Sequence, residues 1–347
     1  MRVGFDVTPL ARPHPRGMVR LVENAVAALE ARGRIEVERL EPPPGASVRR
    51  WRARDVPRAC RELGLAGVHS FTSAFAVRAP GRRVQTIHEL PWRHGVRENA
   101  DWRHRVWALA GPLRADRVVC ATEHVARDLR RWRLPGSAPV RVCPWGVGPP
   151  FEPEPPGGTI DEVVLERYRL PEDPLVLCLD GTRPKKNLAA LLRGVAEVRR
   201  RDGPALHVVV AGPETPQLRR DLGLASQLGL ARWVTTLDEI EEPDLPSLLR
   251  LATAVSVLSR SEGFGFPALE ALACGTPALV PLEGSQTEVA GEHAVRVDPD
   301  DPASVADGLE RCVRERETLR DTVCARASEL TWDRCAAGLE ALWGELA

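Results

Sequence analysis

Short apolar runs alternate with amphipathic segments along the whole chain. Runs rich in valine, leucine and isoleucine predict strands, because buried parallel strands read as nearly continuous apolar stretches. Between them, apolar positions recur every three or four residues, which predicts helices. The predicted strands are Val3–Val7, Ile35–Leu40, Val84–His88, Arg117–Ala121, Val140–Cys143, Leu175–Leu179, His207–Ala211, Trp233–Leu237, Ala254–Leu258, Pro277–Val280 and Ala294–Val297. The predicted helices cover residues 17–31, 51–63, 100–115, 122–132, 187–201, 214–229, 243–252, 266–274, 284–290 and 302–328.

This alternation predicts an α/β fold with parallel sheets built from βαβ units. The segment Val147–Gly158 contains five prolines and three glycines, which is typical of a linker. We therefore expect residues 1–150 and 160–330 to form two doubly wound, Rossmann-like domains that face a cleft. Residues 331–347 are expected to form one more amphipathic helix. Ligands of such sheets bind at the carboxyl ends of the strands.

The formal charge is zero for the whole chain but differs between its halves. Residues 1–150 carry 27 arginines against 14 acidic residues, a net of +13, and residues 151–347 carry a net of −13. The basic half is suited to an anionic acceptor or to peripheral contact with an anionic membrane surface. Charges on solvated faces, or attraction between the halves, explain the same split without any partner.

The cysteines and the amino-terminal segment indicate the compartment. None of the eight cysteines forms a CxxC pair or a zinc-spaced cluster with histidine, so we expect free thiols, a reducing interior and no metal. The segment MRVGFDVTPL predicts a strand rather than a signal peptide, and no apolar stretch approaches the roughly 20 residues of a membrane span. We expect a cytoplasmic protein, at most peripheral to the inner face of the membrane.

Lysine is almost absent from the chain. Only Lys185 and Lys186 occur, against 46 arginines. A lysine kept against such a bias is expected to do what a planar guanidinium cannot, because an ammonium is a compact point charge. The segment Gly181–Asn187, here called the basic loop, follows a predicted strand and places Arg183 and both lysines where phosphates would bind. There they would stabilise a departing nucleoside diphosphate. The alternative, a solvated basic turn, is disfavoured by the scarcity of lysine.

The segment Ser261–Pro277 places a glycine-bearing loop between a predicted strand and a predicted helix. Backbone N–H groups at the positive end of that helix would bind phosphate oxygens or sugar hydroxyls. Glu262 and Glu270 add carboxylates suited to sugar hydroxyls and a ribose diol, since each accepts two hydrogen bonds. Taken singly, Glu262 is better explained as a solvated loop residue and Glu270 as a charge at a helix N-terminus; the surrounding segment favours the functional interpretation. The residues that would supply the N–H groups are Gly263, Phe264, Gly265 and Phe266.

Together these segments resemble the group 1 glycosyltransferases, family 4 of the sugar-transfer enzymes. The signature of that family is a glutamate, seven intervening residues and a second glutamate, written here SEGFGFPALEALACGTP. The resemblance covers nearly the whole chain. It implies a GT-B fold, with an acceptor-binding first domain, a nucleotide-sugar-binding second domain and a last helix that crosses back to the first. It also implies retention of anomeric configuration without a metal, which agrees with the absence of a DxD motif placed to hold a divalent cation.

The resemblance also implies roles for particular residues of the second domain. Glu262 would contact the donor sugar, Glu270 the ribose and Lys186 the diphosphate. Gly181, Thr182 and Lys185 would line the donor site beside them. The family usually has an arginine where Thr182 stands, and the basic loop is one residue shorter than the common form, so Arg183 is the candidate for the missing charge.

The first domain matches the family less closely. The segment TIHELPW resembles one in which histidine precedes aspartate, here His88-Glu89, and His88 would lie against the donor sugar near the reacting carbon. A histidine at a strand end is also a common structural residue. The loop RPHPRGM keeps only Gly17 of a turn that is usually richer in glycine and approaches the donor phosphate. Trp145 and Gly148 replace the usual Asn and Asp.

The residues and the resemblance lead to one expected activity and two alternatives. We expect a retaining, metal-independent hexosyltransferase without a cofactor, moving mannose or glucose from a nucleotide-diphosphate sugar to a glycan, lipid-linked or small-molecule acceptor, with no nucleic-acid partner. The alternatives are a sugar-nucleotide epimerase of the same fold and a catalytically weak partner subunit that binds nucleotide sugar. A dinucleotide oxidoreductase is disfavoured, because no GxGxxG follows the first strand.

Overall fold

The chain forms two compact units, each built on a six-stranded sheet. The computed structural model describes residues 1–12, 14–153 and 159–347. Unit 1 comprises Met1–Gly146 and Leu330–Ala347, and unit 2 comprises Val147–Glu329. All strand pairs in both sheets are parallel, which confirms the prediction of an α/β protein with two doubly wound domains. Residues 154–158 of the predicted linker lie outside the described residues.

In unit 1 the strand order is β2-β1-β3-β4-β5-β6. The strands are β1 (Arg2–Asp6), β2 (Glu36–Leu40), β3 (Gly67–Ser70), β4 (Arg82–Thr86), β5 (Arg117–Cys120) and β6 (Val140–Val142). The helices are α1 (Arg16–Arg32), α2 (Val48–Arg50), α3 (Val56–Glu62), α4 (Trp102–Ala110) and α5 (Glu123–Trp132). A π-helical turn, Trp51–Asp55, joins α2 to α3. Short 3-10 helices cover Thr8–Leu10, Pro91–His94 and Gly111–Leu113.

Strand β3 was not predicted, because Gly-Val-His-Ser carries a single aliphatic residue. The strand is nevertheless fully buried between β1 and β4. A Cβ on Gly67 would lie 2.1 Å from the carbonyl oxygen of Arg82, so only glycine allows this approach. His69 is buried beside the rings of Phe5 and Phe71, where burial holds its pKa at about 3 and keeps it neutral.

In unit 2 the strand order is β12-β11-β10-β7-β8-β9. The strands are β7 (Leu175–Cys178), β8 (His207–Ala211), β9 (Val234–Leu237), β10 (Ala254–Ser256), β11 (Ala278–Pro281) and β12 (Val295–Val297). The helices are α6 (Thr159–Arg167), α7 (Leu188–Arg200), α8 (Pro216–Gln227), α9 (Leu245–Leu251), α10 (Phe266–Ala273), α11 (Ser285–Ala290), α12 (Pro302–Arg314) and α13 (Arg316–Glu329). The 3-10 helices are Pro184–Lys186, Ala231–Trp233, Glu242–Asp244 and Gly291–His293.

The predicted helices of unit 2 differ from the observed ones in two places. The single helix predicted over residues 302–328 is two helices, because the chain leaves the helical conformation at Glu315 (φ −110°, ψ 15°). Helix α6 was not predicted. All six predicted strands are present. In the core, α7 packs directly on α12, where a Cβ on Gly194 would lie 2.2 Å from Val305.

The last helix, α14 (Trp332–Leu346), belongs to unit 1 and packs on α1. It buries Leu339, Leu342 and Trp343, and Arg32 Nε donates to Glu340 at 2.8 Å. The return of this helix to the first domain was expected from the resemblance. Among the described residues, no helix combines the length and the apolar character needed to cross a membrane.

Candidate functional site: a basic loop facing a glycine loop in unit 2

Two loops meet at the carboxyl edge of the unit 2 sheet. Strands β7 and β10 are paired neighbours, so the loops that follow them leave the sheet side by side. After β7 comes the basic loop, whose Pro184–Lys186 segment forms a 3-10 helix. After β10 comes the segment 259–265, here called the glycine loop. The backbone N–H of Arg260 donates to the carbonyl oxygen of Lys185 at 2.9 Å, which ties the two loops together.

Glu262 holds both lysines of the chain. Its Oε1 lies 2.8 Å from Lys186 Nζ and also accepts a hydrogen bond from Ser259 Oγ at 2.9 Å. Its Oε2 lies 3.6 Å from Lys185 Nζ. All three charged side chains are largely buried. One carboxylate therefore contacts two ammonium groups, and the charges of Asp180 and Arg183 also act on Lys186. These five groups hold three positive and two negative charges, so the cluster is net positive.

Burial and the attraction between opposite charges shift the pKa values of this cluster in opposite directions. Burial by itself would raise the pKa of Glu262, but the charges of Lys186 and Lys185 outweigh it and lower the pKa to about 2. Burial likewise would lower the pKa of Lys186, but the charge and hydrogen bond of Glu262 outweigh it and the pKa is raised. The nearby positive charge of Arg183 opposes that rise. Both partners are thus charged near neutral pH.

The glycine loop leads directly into α10. Gly265 has φ +94°, and a Cβ there would lie 2.7 Å from Gln286 Cβ, so the turn requires glycine. Pro267 occupies the first turn, where its missing N–H costs nothing. The rings of Phe264 and Phe266 pack edge to face, with centroids 5.0 Å apart. The amino end of α10 therefore has a fixed direction beside the lysines.

Glu270 lies one turn further along α10 and is buried. It lies in the helix that the glycine loop leads into, whereas Glu262 lies in the loop itself.

The start of the basic loop is tightly packed. A Cβ on Gly181 would lie 2.8 Å from Cys178 Sγ. Thr182, which stands where the family usually has arginine, is buried, and its carbonyl oxygen accepts a hydrogen bond from Thr215 Oγ1 at 2.6 Å. A Cβ on Gly212 would lie 2.9 Å from Thr182 Oγ1. The surroundings of Thr182 are filled, whereas the adjacent Arg183 is partly exposed.

Two residues of this site were not predicted. Ser259 positions Glu262, and Gln286 at the start of α11 donates from Nε2 to the carbonyl oxygen of Ser259 at 2.8 Å. Gln286 is buried, and its Cβ lies 2.7 Å from the position that a Cβ on Gly265 would occupy. Neither serine nor glutamine by itself indicates a sugar site, so the residue types gave no signal.

The remaining predicted residues, His88 and Gly17, lie in unit 1. His88 follows β4, and its Nε2 lies 2.6 Å from the carbonyl oxygen of Phe71. Because a carbonyl only accepts, Nε2 carries the hydrogen. Burial lowers the pKa of His88, so the ring is neutral and Nδ1 keeps its lone pair. Gly17 is the second residue of α1.

Unit 1 has a buried polar network that was also not predicted. The chain leaves β1 for β2 and returns on the other side at β3, which makes the β1/β3 edge a topological switch point. There Asp6 accepts from Arg52 Nε at 2.7 Å, from Ser70 Oγ at 3.1 Å and from Thr8. Arg52, on the π-helical turn, also donates to Thr72 Oγ1 at 2.8 Å. These donors to the Asp6 carboxylate all belong to unit 1.

Sequence models of two families match the chain. The model described as glycosyl transferases group 1 matches residues 165–326, and the model described as glycosyltransferase family 4 matches residues 2–149. The chain belongs to the group 1 glycosyltransferases. The basic loop and the glycine loop both lie in the segment that the first of these models matches.

Curated relatives share part of their length with this chain. The D-inositol 3-phosphate glycosyltransferase of Salinispora arenicola is 35% identical over 247 residues, which is 67% of this chain and 55% of that protein. The protein of the same name from Nocardia farcinica is 33% identical over 245 residues, 66% of this chain and 53% of that protein. The chain therefore spans about half the length of these relatives.

Solved structures match this chain over nearly its whole length. Sucrose-phosphate synthase from Thermosynechococcus elongatus has a TM-score of 0.78 and 20% identity, over 99% of this chain and 98% of that one. HepE from Anabaena in complex with UDP-glucose has a TM-score of 0.76 and 17% identity, over 99% and 100%. These likenesses confirm the predicted GT-B fold.

Proposed function

We propose that the protein is a retaining glycosyltransferase that moves a hexose from a nucleotide-diphosphate sugar to an acceptor hydroxyl. The observation that carries this proposal is the pair of buried lysines held by Glu262 beside the amino end of α10. The cluster keeps a net positive charge in a buried position, which an anionic ligand would neutralise. A diphosphate matches it in charge and in hydrogen-bond acceptors.

The same charges supply the catalytic effect that sugar transfer needs most. When the bond between the anomeric carbon and the diphosphate breaks, negative charge develops on the leaving oxygen. Lys186, Lys185 and the partly exposed Arg183 would stabilise that charge, together with backbone N–H groups at the start of α10. Three cationic side chains and a helix end then take the part that a divalent cation takes in other sugar-transfer sites. We therefore propose a metal-independent reaction.

The stereochemistry follows from where the acceptor enters. In the proposed step the acceptor oxygen bonds to the anomeric carbon on the face that the diphosphate leaves, so the configuration is retained. The acceptor proton passes to the departing diphosphate oxygen, and no enzymic nucleophile is required. We assign Glu262 to the donor sugar and Glu270 to the ribose. His88 would accept a hydrogen bond from a sugar hydroxyl through the lone pair of Nδ1.

The names of similar proteins suggest which donor and acceptor classes to test first. The Anabaena neighbour is solved with UDP and with UDP-glucose, which supports a UDP-hexose as the first donor to test. The relatives named for D-inositol 3-phosphate support a small anionic acceptor. Unit 1 suits such an acceptor, because the first 150 residues carry a net charge of +13.

The decisive experiment replaces Lys186. We expect Lys186→Ala to lower kcat/KM for donor hydrolysis or transfer by about 10²–10³-fold, the usual loss when one group that stabilises the leaving charge is removed. Lys186→Arg should recover only part of it, since a guanidinium does not fit a point-charge site. The assay would screen UDP- and GDP-hexoses with and without inositol phosphate.

The control for Lys186 is Arg219→Ala, which removes an exposed cation of α8 that pairs with exposed Glu214. Unchanged turnover in Lys186→Ala would contradict the proposal. Nucleotide binding by the wild type without hydrolysis or transfer of any donor would instead indicate a binding subunit.

We also propose a membrane contact for unit 1. On α4, Trp102 is 69% exposed and Val106 is 51% exposed, and the guanidinium of Arg103 lies 5.5 Å from the Trp102 ring. An exposed tryptophan among arginines is suited to an anionic lipid surface. Sedimentation with phosphatidylglycerol vesicles should exceed that with phosphatidylcholine vesicles and fall several-fold in Trp102→Ala. Equal sedimentation with both lipids would contradict the contact.

A further inference from the structure

Unit 1 carries a cluster of two histidines and an aspartate that the proposed reaction does not use. His94 ends the 3-10 helix that follows β4, and His124 and Asp128 lie on α5. Residues four apart on a helix share one face, so His124 and Asp128 point in the same direction. The ligand atoms of all three residues lie within 4.8 Å of one another.

The geometry holds these side chains together while leaving them open to solvent. His94 Nε2 lies 2.7 Å from Asp128 Oδ2. The rings of His94 and His124 are stacked, with centroids 5.3 Å apart and 26° between their planes. The His94 side chain is 30% exposed and that of Asp128 is 15% exposed. An ion arriving from solvent can therefore reach the cluster.

We propose that His94, His124 and Asp128 bind a divalent transition-metal ion of the zinc class. Two imidazoles and one carboxylate form a usual three-ligand zinc set with an open fourth position. Ligand atoms about 2.0–2.1 Å from a tetrahedral ion are about 3.4 Å apart. The observed spacing, from 2.7 Å to at most 4.8 Å, brackets that value, so small side-chain rotations complete the site.

Arg127 and Arg131 lie three residues from His124 and Asp128 on α5 and therefore flank the cluster, where solvent screens their charges. Arg127, Arg130 and Arg131 on α5 are exposed to solvent, and Arg130 pairs with Glu123. The Arg93 guanidinium lies 5.2 Å from the centre of the Trp132 ring. The carboxylate of Asp128 therefore provides the charge that a cation needs at this position.

Binding would have a mechanical consequence for unit 1. The segment that follows β4 contains His88 and His94, and α5 follows the neighbouring strand β5. An ion shared between them joins two successive elements at the carboxyl edge of the sheet. The inference does not depend on the proposed sugar transfer, because it concerns binding and stability only.

The test is a metal titration of protein freed of tag and of metal by a chelator. It is best done in a Cys324→Ser background, because Cys324 is the half-buried thiol and the other seven cysteines are buried. We expect calorimetry with Zn²⁺ to show one ion per chain, Co²⁺ to give visible d–d bands, and Zn²⁺ to raise Tm by mass action. His94→Gln, His124→Gln and Asp128→Asn should each weaken binding at least about tenfold.

The control is His293→Ala, which removes a histidine of unit 2 and should bind Zn²⁺ as the wild type does. A wild-type Tm for the variants in the absence of metal shows that they fold. Failure of the wild type to bind Zn²⁺, or equal binding by the variant lacking all three ligands, overturns the proposal and leaves His94 and Asp128 as a hydrogen-bonded pair.

Discussion

Each unit places a buried carboxylate beside a cation at the carboxyl edge of its sheet, and the two arrangements differ in what remains unbalanced. In unit 1, Asp6 meets one cation, Arg52, and hydroxyl and backbone donors from Thr8 and Ser70 complete its shell. In unit 2, Glu262 meets two cations, Lys185 and Lys186. The first cluster is neutral, and the second carries an excess positive charge.

The difference separates a structural ion pair from a ligand site. A buried ion pair whose charges balance and whose hydrogen bonds are made does not require a ligand. Removing one partner lowers the free energy of unfolding. A buried excess of positive charge is costly unless an anion arrives, so part of its interaction energy is available for binding. Three substitutions test this distinction, in order of expected effect.

The largest effect is expected for Asp6→Ala. Removing the carboxylate leaves Arg52 buried without its counter-ion, which should lower the free energy of unfolding by about 3–5 kcal/mol. Urea denaturation measures this loss. The control is Glu62→Gln, which breaks an exposed pair with Arg58 and should change the stability little, because solvent screens that pair. Calorimetry should show unchanged UDP affinity, and weakened affinity at unchanged stability would reverse the roles assigned to the two clusters.

A smaller, pH-dependent effect is expected for Glu262→Gln. Near pH 7 the variant should be destabilised by about 2–3 kcal/mol, because it loses charged hydrogen bonds. Glu262 has a folded pKa of about 2, below its usual 4.5, so its contribution is complete above pH 4.5 and is lost as pH falls towards 2. Denaturation of both proteins across this range should show the difference shrinking in acid. A difference that stayed constant would contradict the ion pairing.

The smallest effect is expected for Gly265→Ala. The positive φ and the approach to Gln286 should together cost about 1–2 kcal/mol, and nucleotide affinity should fall because the start of α10 shifts. Gly64→Ala is the matched control, since Gly64 has φ +61° but no neighbour within 4 Å of its Cβ position. Equal losses of stability in both variants would show that the contact with Gln286 contributes nothing.

The sequence predicted unit 2 well because its signals are local. Most strands of that sheet are apolar runs, and the lysine scarcity together with the spacing of Glu262 and Glu270 singled out the two loops. That Lys186 and Glu262 would bond to each other, rather than each wait for a ligand, was not foreseen. Their contact joins residues 76 positions apart and depends on the pairing of β7 with β10.

The parts that escaped prediction depend on contacts distant in sequence. Nothing in Gly-Val-His-Ser indicates β3, because Gly67 is required by Arg82 and His69 is kept neutral by burial beside Phe5. Arg52 lies 46 positions from Asp6 and is one of 46 arginines, so composition cannot distinguish it. The break at Glu315 has neither glycine nor proline to mark it.

The path of the chain between the units has a consequence for synthesis. Unit 2 is inserted between Gly146 and Leu330, so the residues translated first cannot finish folding until α14 has left the ribosome. A Cβ on Gly146 would lie 2.3 Å from the backbone nitrogen of Trp332, so the returning segment packs directly against Gly146. Nascent unit 1 therefore exposes the apolar side of α1 while unit 2 is being made, until α14 packs on it.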